Sequence, residues 1–171
     1  MAIAITPFRG LCGFRPLPEI ATALRSTPEL ASLLSVELTQ AFLAVSEHAD
    51  PKVRVELRQV FSAIMMAEDA LFKHQLETLV ERYEAGGATD GESRDVVDLV
   101  LDLYRQYPGD IGVFCAFLLN YIHLAPGEAI FLGAGEPHAY LSGGTSMIPS
   151  LLLITKMTNS SRMHRVHGKL G

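Results

Sequence analysis

The chain has 171 residues, of which 49% are hydrophobic and 19% are charged. This balance argues against a disordered chain and predicts one globular domain of ordinary size, or two small units. The formal net charge is −5, and the sequence has no basic stripe with interleaved aromatic residues, so we expect no nucleic-acid partner, whereas a small phosphorylated ligand stays possible.

The start of the sequence lacks a basic segment followed by a long apolar one, so no secretory signal is expected. No apolar run reaches the ~18 residues that a membrane span needs. We therefore predict no membrane association and a cytoplasmic location. Cys12 and Cys115 are too few for a disulfide framework or a thiolate zinc site, and they are predicted to be reduced, mostly buried thiols.

Helical signals dominate up to about residue 105. Three helix starts are indicated by prolines, which favour the first helical turn: Pro18-Glu19, Thr27-Pro28-Glu29 and Asp50-Pro51. The first two also have a glutamate in the first turn. After the last of these, apolar residues recur three or four positions apart over 53–65 and again over 71–83, which predicts two helices.

A glycine-rich stretch at 86–91 predicts a loop, and the apolar pattern that follows predicts a last helix over about 92–106. Two acidic clusters, at 81–84 and 90–98, fall on predicted helix faces or in this loop. We interpret both clusters as solvated charge.

Strand-compatible runs follow the helices. The segments 117–124 and 129–132 are separated by the turn residues 125–128, which predicts a β-hairpin, and 138–141 predicts a third strand. The fold class is therefore α+β, with a helical domain over 1–106 followed by a few strands over 107–143. Residues 144–171 show no clear period and are predicted to form an unstructured tail.

His138 is the residue for which chemistry can be named most specifically. It follows a glycine-rich corner, Gly133-Ala-Gly135-Glu-Pro, whose glycines permit a tight bend that could aim the imidazole at a metal. Without other information, a lone histidine after a turn is more often hydrogen-bonded or solvated than a ligand. No second ligand lies nearby in the sequence, whereas catalytic zinc takes three from the protein.

The spacing of Gly127, Gly135 and His138 resembles the second cupin signature, with Gly133 in place of its usual proline. Further segments resemble consecutive motifs of the type I mannose-6-phosphate isomerases. These segments are Thr6-Pro-Phe8, Leu11-Cys-Gly-Phe-Arg-Pro16, Tyr107-Pro-Gly-Asp-Ile-Gly-Val-Phe114, Leu118-Leu-Asn120, Pro126-Gly-Glu-Ala129 and Glu136-Pro-His-Ala-Tyr-Leu-Ser-Gly143. The resemblance covers roughly residues 1–143 and is weak in the helical block.

The resemblance implies a zinc-dependent enzyme that interconverts mannose 6-phosphate and fructose 6-phosphate and supplies mannose for GDP-mannose synthesis and glycosylation. It also implies a monomer with a cupin jelly-roll barrel, of which 107–143 would be an incomplete part. Of the four zinc ligands of the family, the resemblance places only one in this chain, at His138. Met1 resembles the residue that follows the third of them, so the other three are expected upstream.

The resemblance further implies that Tyr140 lies near the substrate, although a structural role for an inward-facing barrel tyrosine is equally plausible. The catalytic arginine motif of the family is absent, and 144–171 takes its place. We therefore expect a fragment that binds little zinc and is inactive alone. Two alternatives remain, a non-catalytic helical interaction module and a cupin-like sugar-phosphate-binding protein. His48, His74 and His123 have no spaced partners that would favour metal binding. His164 and His167 form a His-x-x-His pair, which would face one side of a helix, but we expect no metal binding there because the tail is predicted to be unstructured.

Overall fold

The computed structural model describes residues 2–46, 53–132 and 135–143. Within these ranges it contains six α-helices, one 3₁₀ helix and five β-strands. The described residues divide into a helical unit, residues 15–118, and a sheet unit, residues 2–14 together with the described residues from 119 onward. The predicted α+β class is confirmed.

Prolines and capping residues set the starts of several helices. Pro18 lies in the first turn of one helix and Pro28 in the first turn of the next, and the Ser93 hydroxyl accepts a hydrogen bond from the backbone N–H of Val96 at the start of the last. The helices are α1 (Leu17–Ser26), α2 (Pro28–Ala31), α3 (Val36–Ser46), α4 (Val53–Met65), α5 (Asp69–Glu84) and α6 (Arg94–Gln106). The helices predicted over 53–65, 71–83 and 92–106 are confirmed.

A 3₁₀ helix, Ile111–Phe117, lies at the centre of the helical unit and was not predicted from the sequence. The Asp110 carboxylate caps it by accepting a hydrogen bond of 2.7 Å from the N–H of Gly112. Residues 112–117 are all buried, and the segment packs against α4, α5 and α6. Cys115 lies in this core, and burial raises the pKa of its thiol to about 12.

The strands are β1 (Ala2–Ile3), β2 (Phe8–Phe14), β3 (Leu119–Leu124), β4 (Ala129–Ile130) and β5 (His138–Ser142). They form a three-stranded antiparallel sheet in the order β3-β2-β5 and a two-stranded sheet of β1 with β4. The central strand therefore comes from the start of the chain, and its two neighbours come from the end of the described region.

The predicted β-hairpin is wrong. β3 pairs with β2, and β4 pairs with β1, so the two strands on either side of the turn are not partners. The turn itself exists, but its backbone is bonded elsewhere: Gly127 N–H donates to the Ala4 carbonyl, and Ala4 N–H donates to the Glu128 carbonyl. Hydrogen bonds to β1 and to Ala4, the residue that follows β1, thus take the place of the bonds that would join β3 to β4 in a hairpin.

Along the chain, the helical unit is inserted between the two segments of the sheet unit. The reason is the antiparallel pairing of β2 with strands that lie more than a hundred residues later. Residues 144–171 lie outside the described residues. Among the described helices, none combines the length and the hydrophobicity that crossing a membrane requires.

Candidate functional site

His138 and Tyr140 lie on one face of β5, because alternate residues of a strand point to the same side. β5 pairs with the central strand so that His138 is opposite Cys12 and Tyr140 is opposite Gly10. The sheet therefore brings the two residues predicted to form a site together with two residues from the start of the chain. Pairing over this sequence distance could not be read from the local pattern.

A hydrogen bond to the backbone orients the His138 imidazole. Its Nδ1 atom lies 3.0 Å from the carbonyl oxygen of Glu136. Because a carbonyl oxygen only accepts, Nδ1 carries the proton in this contact, and in the neutral ring Nε2 keeps its lone pair. Metal-bound histidines commonly donate their second ring N–H to a backbone carbonyl in this way. The half-buried His138 ring is thus prepared to act as a ligand through Nε2.

The described residues supply one metal ligand here and not a complete set. Within them, no group of three or more His, Cys, Asp or Glu side chains could hold a metal ion. Cys12 is the register partner of His138, and burial and the nearby Glu136 carboxylate raise the pKa of its thiol to about 11. His138 could therefore serve as one ligand of a metal ion only together with ligands from outside the described residues.

Tyr140 lies between two other rings. Its ring and that of Phe8 form a T-shaped pair with a centroid distance of 5.2 Å, and the centroid of the His138 ring lies 5.6 Å away. Gly10 makes this arrangement possible, because a Cβ atom there would lie 2.9 Å from Cε1 of Phe8 and 3.1 Å from the Ala139 carbonyl oxygen. The Tyr140 ring is half-buried and fixed by these ring contacts.

The three-stranded sheet carries a further polar group near the end of β5. The Arg9 guanidinium donates to the Ser142 hydroxyl at 3.0 Å and to the Tyr121 hydroxyl at 3.4 Å, and the Tyr121 ring meets His123 at 4.4 Å. His123 is exposed, as is His74 in α5. His48, His164 and His167 lie outside the described residues.

The helical unit holds a second group of polar side chains, which we name the Arg82 cluster: Thr27, Glu29, Arg82, Tyr83 and Glu92. Arg82 donates two hydrogen bonds of 2.8 Å to the Glu29 carboxylate and two, of 2.7 and 2.8 Å, to Glu92. The carboxylate side chains are only 5% and 1% exposed, respectively. The cluster joins α2, α5 and the loop before α6, so its role is structural.

Glu92 corrects the prediction that the acidic residues of 90–98 are all solvated. Its carboxylate also accepts hydrogen bonds from the Tyr83 hydroxyl, the Thr27 hydroxyl and the Thr89 N–H. Burial opposes ionisation of Glu92, yet the bonds from Arg82 and these donors outweigh burial and lower its pKa to about 2. The sequence offered no signal for this, since the partners lie on three separate elements.

The low pKa of Glu92 predicts a specific loss of stability in acid. A carboxyl group whose pKa is lower in the folded state stabilises the protein above its ordinary pKa of 4.5, and the contribution disappears as the pH falls towards 2. We expect the free energy of unfolding to drop by about 3 kcal/mol more in this window than in a Glu92→Gln variant. Urea unfolding followed by far-UV circular dichroism at several pH values measures the difference.

The carboxyl groups outside the Arg82 cluster contribute equally to both proteins, so their effects cancel in the comparison. The variant should be less stable at pH 7 and should have the flatter pH dependence. If the free energy of unfolding falls equally with pH in the two proteins, Glu92 is not held ionised by the Arg82 cluster.

Comparison with known proteins identifies relatives for most of the described chain. The model of the phosphomannose isomerase type I helical insertion domain matches residues 33–119, about half of the chain. Mannose-6-phosphate isomerase of Homo sapiens is 44% identical over 144 residues, which are 84% of this chain and 34% of that protein. Mannose-6-phosphate isomerase 1 of Arabidopsis thaliana is 41% identical over 146 residues, covering 84% of this chain and 33% of that protein.

Solved structures give the same result. The apo form of mannose 6-phosphate isomerase from Salmonella typhimurium matches with a TM-score of 0.62 and 28% identity, over 82% of this chain and 32% of that one. The Salmonella typhimurium enzyme bound to its substrate fructose 6-phosphate and to zinc matches with a TM-score of 0.60 and 27% identity, with the same coverage. The chain thus spans about a third of the length of these relatives.

Proposed function

Because the chain belongs to the type I phosphomannose isomerase family, we propose that it supplies a helical unit and one zinc ligand to a mannose-6-phosphate isomerase. The reaction interconverts mannose 6-phosphate and fructose 6-phosphate, an aldose and a ketose. It requires a proton to move between C1 and C2 of the sugar, assisted by an acid/base pair and by stabilisation of the charge that develops on the sugar oxygens.

One observation carries this proposal: His138 presents Nε2 with its lone pair because Nδ1 is bonded to the Glu136 carbonyl. This is a hydrogen-bonding arrangement that zinc-bound histidines commonly have, and it occurs in the segment Pro137-His138-Ala139-Tyr140. A bound zinc ion would polarise the oxygens of the sugar. Tyr140, two residues along the same face, is the residue we assign to contact with the sugar phosphate, through its hydroxyl.

The other parts of the catalytic machinery do not occur among the described residues. These residues supply a single metal ligand and no arginine in the motif that the family uses for catalysis. We therefore propose that the 171 residues by themselves neither bind zinc tightly nor catalyse isomerisation. They would act as part of a longer protein, which we propose to be cytoplasmic and monomeric and to feed GDP-mannose synthesis.

A chimera tests the proposal. Residues 1–143 of this chain replace the matching segment of the Homo sapiens relative, to which the chain is 44% identical, and the product is assayed for zinc content and for isomerisation of mannose 6-phosphate. We expect one zinc ion per chain and measurable turnover in the chimera. The isolated chain, assayed in parallel, should show neither.

The outcomes separate the alternatives. A folded chimera that binds no zinc would contradict the assignment of His138, and turnover by the isolated chain would contradict the proposed dependence on a longer protein. If the isolated chain binds mannose 6-phosphate without metal, the sugar-phosphate-binding alternative gains support. If it binds a protein partner through the helical unit and the chimera is inactive, the interaction module is favoured instead.

A further inference from the structure

The central strand of the sheet contains a bulge beside the candidate ligand. Leu11 pairs with Tyr121 and Phe14 pairs with Leu119, so two residues of β2 stand opposite one residue of β3. Gly13 adopts a φ of +65°, which non-glycine residues rarely adopt. This backbone conformation accommodates the extra residue of the bulge in β2. A bulge of this kind leaves backbone carbonyls without their regular ladder partners.

Asn120, the single residue opposite the bulge, supplies the missing donors. Its side-chain Nδ2 lies 2.9 Å from the Phe14 carbonyl oxygen and 3.3 Å from the carbonyl oxygens of both Cys12 and Gly13. One amide group thus spans the three carbonyls of the bulge. Other side chains of similar size cannot do this, because leucine has no donor and an ionised aspartate has only acceptors.

The bulge in turn holds the backbone that precedes His138. The N–H of Gly13 donates a hydrogen bond of 2.9 Å to the carbonyl of Pro137, and Cys12 is the register partner of His138. The Glu136 carbonyl, which fixes the His138 ring, lies in the same short segment. Movement of Gly13 would shift Pro137 and with it the acceptor of the imidazole N–H.

From these contacts we propose that Asn120 is a positioning residue for His138. It acts through the β2 bulge, and its effect is to keep the Nδ1–H tautomer and to direct Nε2 away from the strand. The assignment of Nε2 as a zinc ligand rests on the proposed function. The effect of Asn120 on the imidazole does not, because it concerns contacts within this chain only.

The test uses the chain of 171 residues and nitrogen NMR of its histidine rings at a pH where His138 is neutral. In the unmodified chain we expect His138 to be mainly the Nδ1–H tautomer. Asn120→Ala should lower that population at least twofold, and Asn120→Ser, which keeps one donor, should have an intermediate effect. If the alanine variant does not fold, the serine variant decides.

Ser142→Ala serves as the matched control, since it removes the hydrogen bond from Arg9 at the far end of β5. This change should leave the His138 tautomer as it is. An unchanged tautomer in a folded Asn120 variant, or an equal change in the Ser142 variant, would overturn the proposal.

The second measurement is zinc affinity in the chimera, where Asn120→Ser should weaken binding by roughly 10- to 100-fold, as loss of an outer-shell partner does. If the chimera binds no zinc at all but the tautomer responds to Asn120, the proposed function fails and the positioning role stands. If zinc binding and the tautomer are both unaffected by Asn120→Ser, the positioning role fails and the proposed function stands.

Discussion

Replacing His138 with alanine in the chimera is expected to weaken zinc binding by roughly 100-fold or more, and to reduce turnover at least as much. Loss of a direct ligand should weaken zinc binding at least as much as loss of an outer-shell partner, which typically weakens it roughly 10- to 100-fold. The loss corresponds to about 3 kcal/mol or more of binding free energy. Zinc competition with a chromophoric chelator measures the affinity, and a coupled assay measures turnover.

His123→Ala is the control for this change. His123 lies in the same sheet unit, on strand β3, but it is exposed and contacts Tyr121. The control variant should bind zinc and turn over substrate as the unmodified chimera does. If both histidine variants lose zinc to the same degree, the effect is a general loss of the sheet and His138 has no special role.

Replacing Arg82 with methionine is expected to destabilise the helical unit by about 3 to 5 kcal/mol. The substitution removes the cation that lies between two almost fully buried carboxylates, Glu29 and Glu92, and so leaves both charges without the partner that compensates them. Breaking a buried pair from one side costs this much, because the remaining charges have lost their solvent as well as their partner. Urea unfolding at pH 7 measures it.

Arg94→Met is the matched control, since Arg94 forms a 3.8 Å pair with Asp98 and both side chains are well exposed. An exposed pair on a helix contributes about 0.5 kcal/mol or less. A third variant that combines Arg82→Met with Glu29→Gln and Glu92→Gln should recover part of the lost stability. The structural role of the Arg82 cluster would be refuted by equal costs for the two arginine variants.

Most of the helices, α1, α2, α4, α5 and α6, could be predicted because their signal is local. Apolar residues spaced by three and four define α4, α5 and α6 within a single window, and proline marks the starts of α1 and α2. The central strand β2 was missed for the opposite reason. Its sequence, Phe8–Phe14, contains two glycines and no clean alternation, and both of its partners lie far away in the chain.

The same distinction between local and long-range signals applies to the residues of the candidate site. His138 and Tyr140 were found because a family motif is contiguous in sequence. Asn120 lies in another segment of that resemblance, but its contacts with the bulge depend on the register of two strands that the sequence did not pair. The buried charge of Glu92 was also invisible, because nothing in an acidic loop distinguishes one carboxylate that meets an arginine from its solvated neighbours.

The bulged pairing of β2 with β3 also constrains the order of folding. The strands are neighbours in the sheet, with Phe14 beside Leu119, although about a hundred residues separate them. Closing so long a flexible loop is entropically unfavourable and slow. If the helices of residues 15–118 form first, they shorten the effective loop before the strands meet. Mutations that weaken the helical unit should therefore slow formation of the sheet, even though they alter no residue in it.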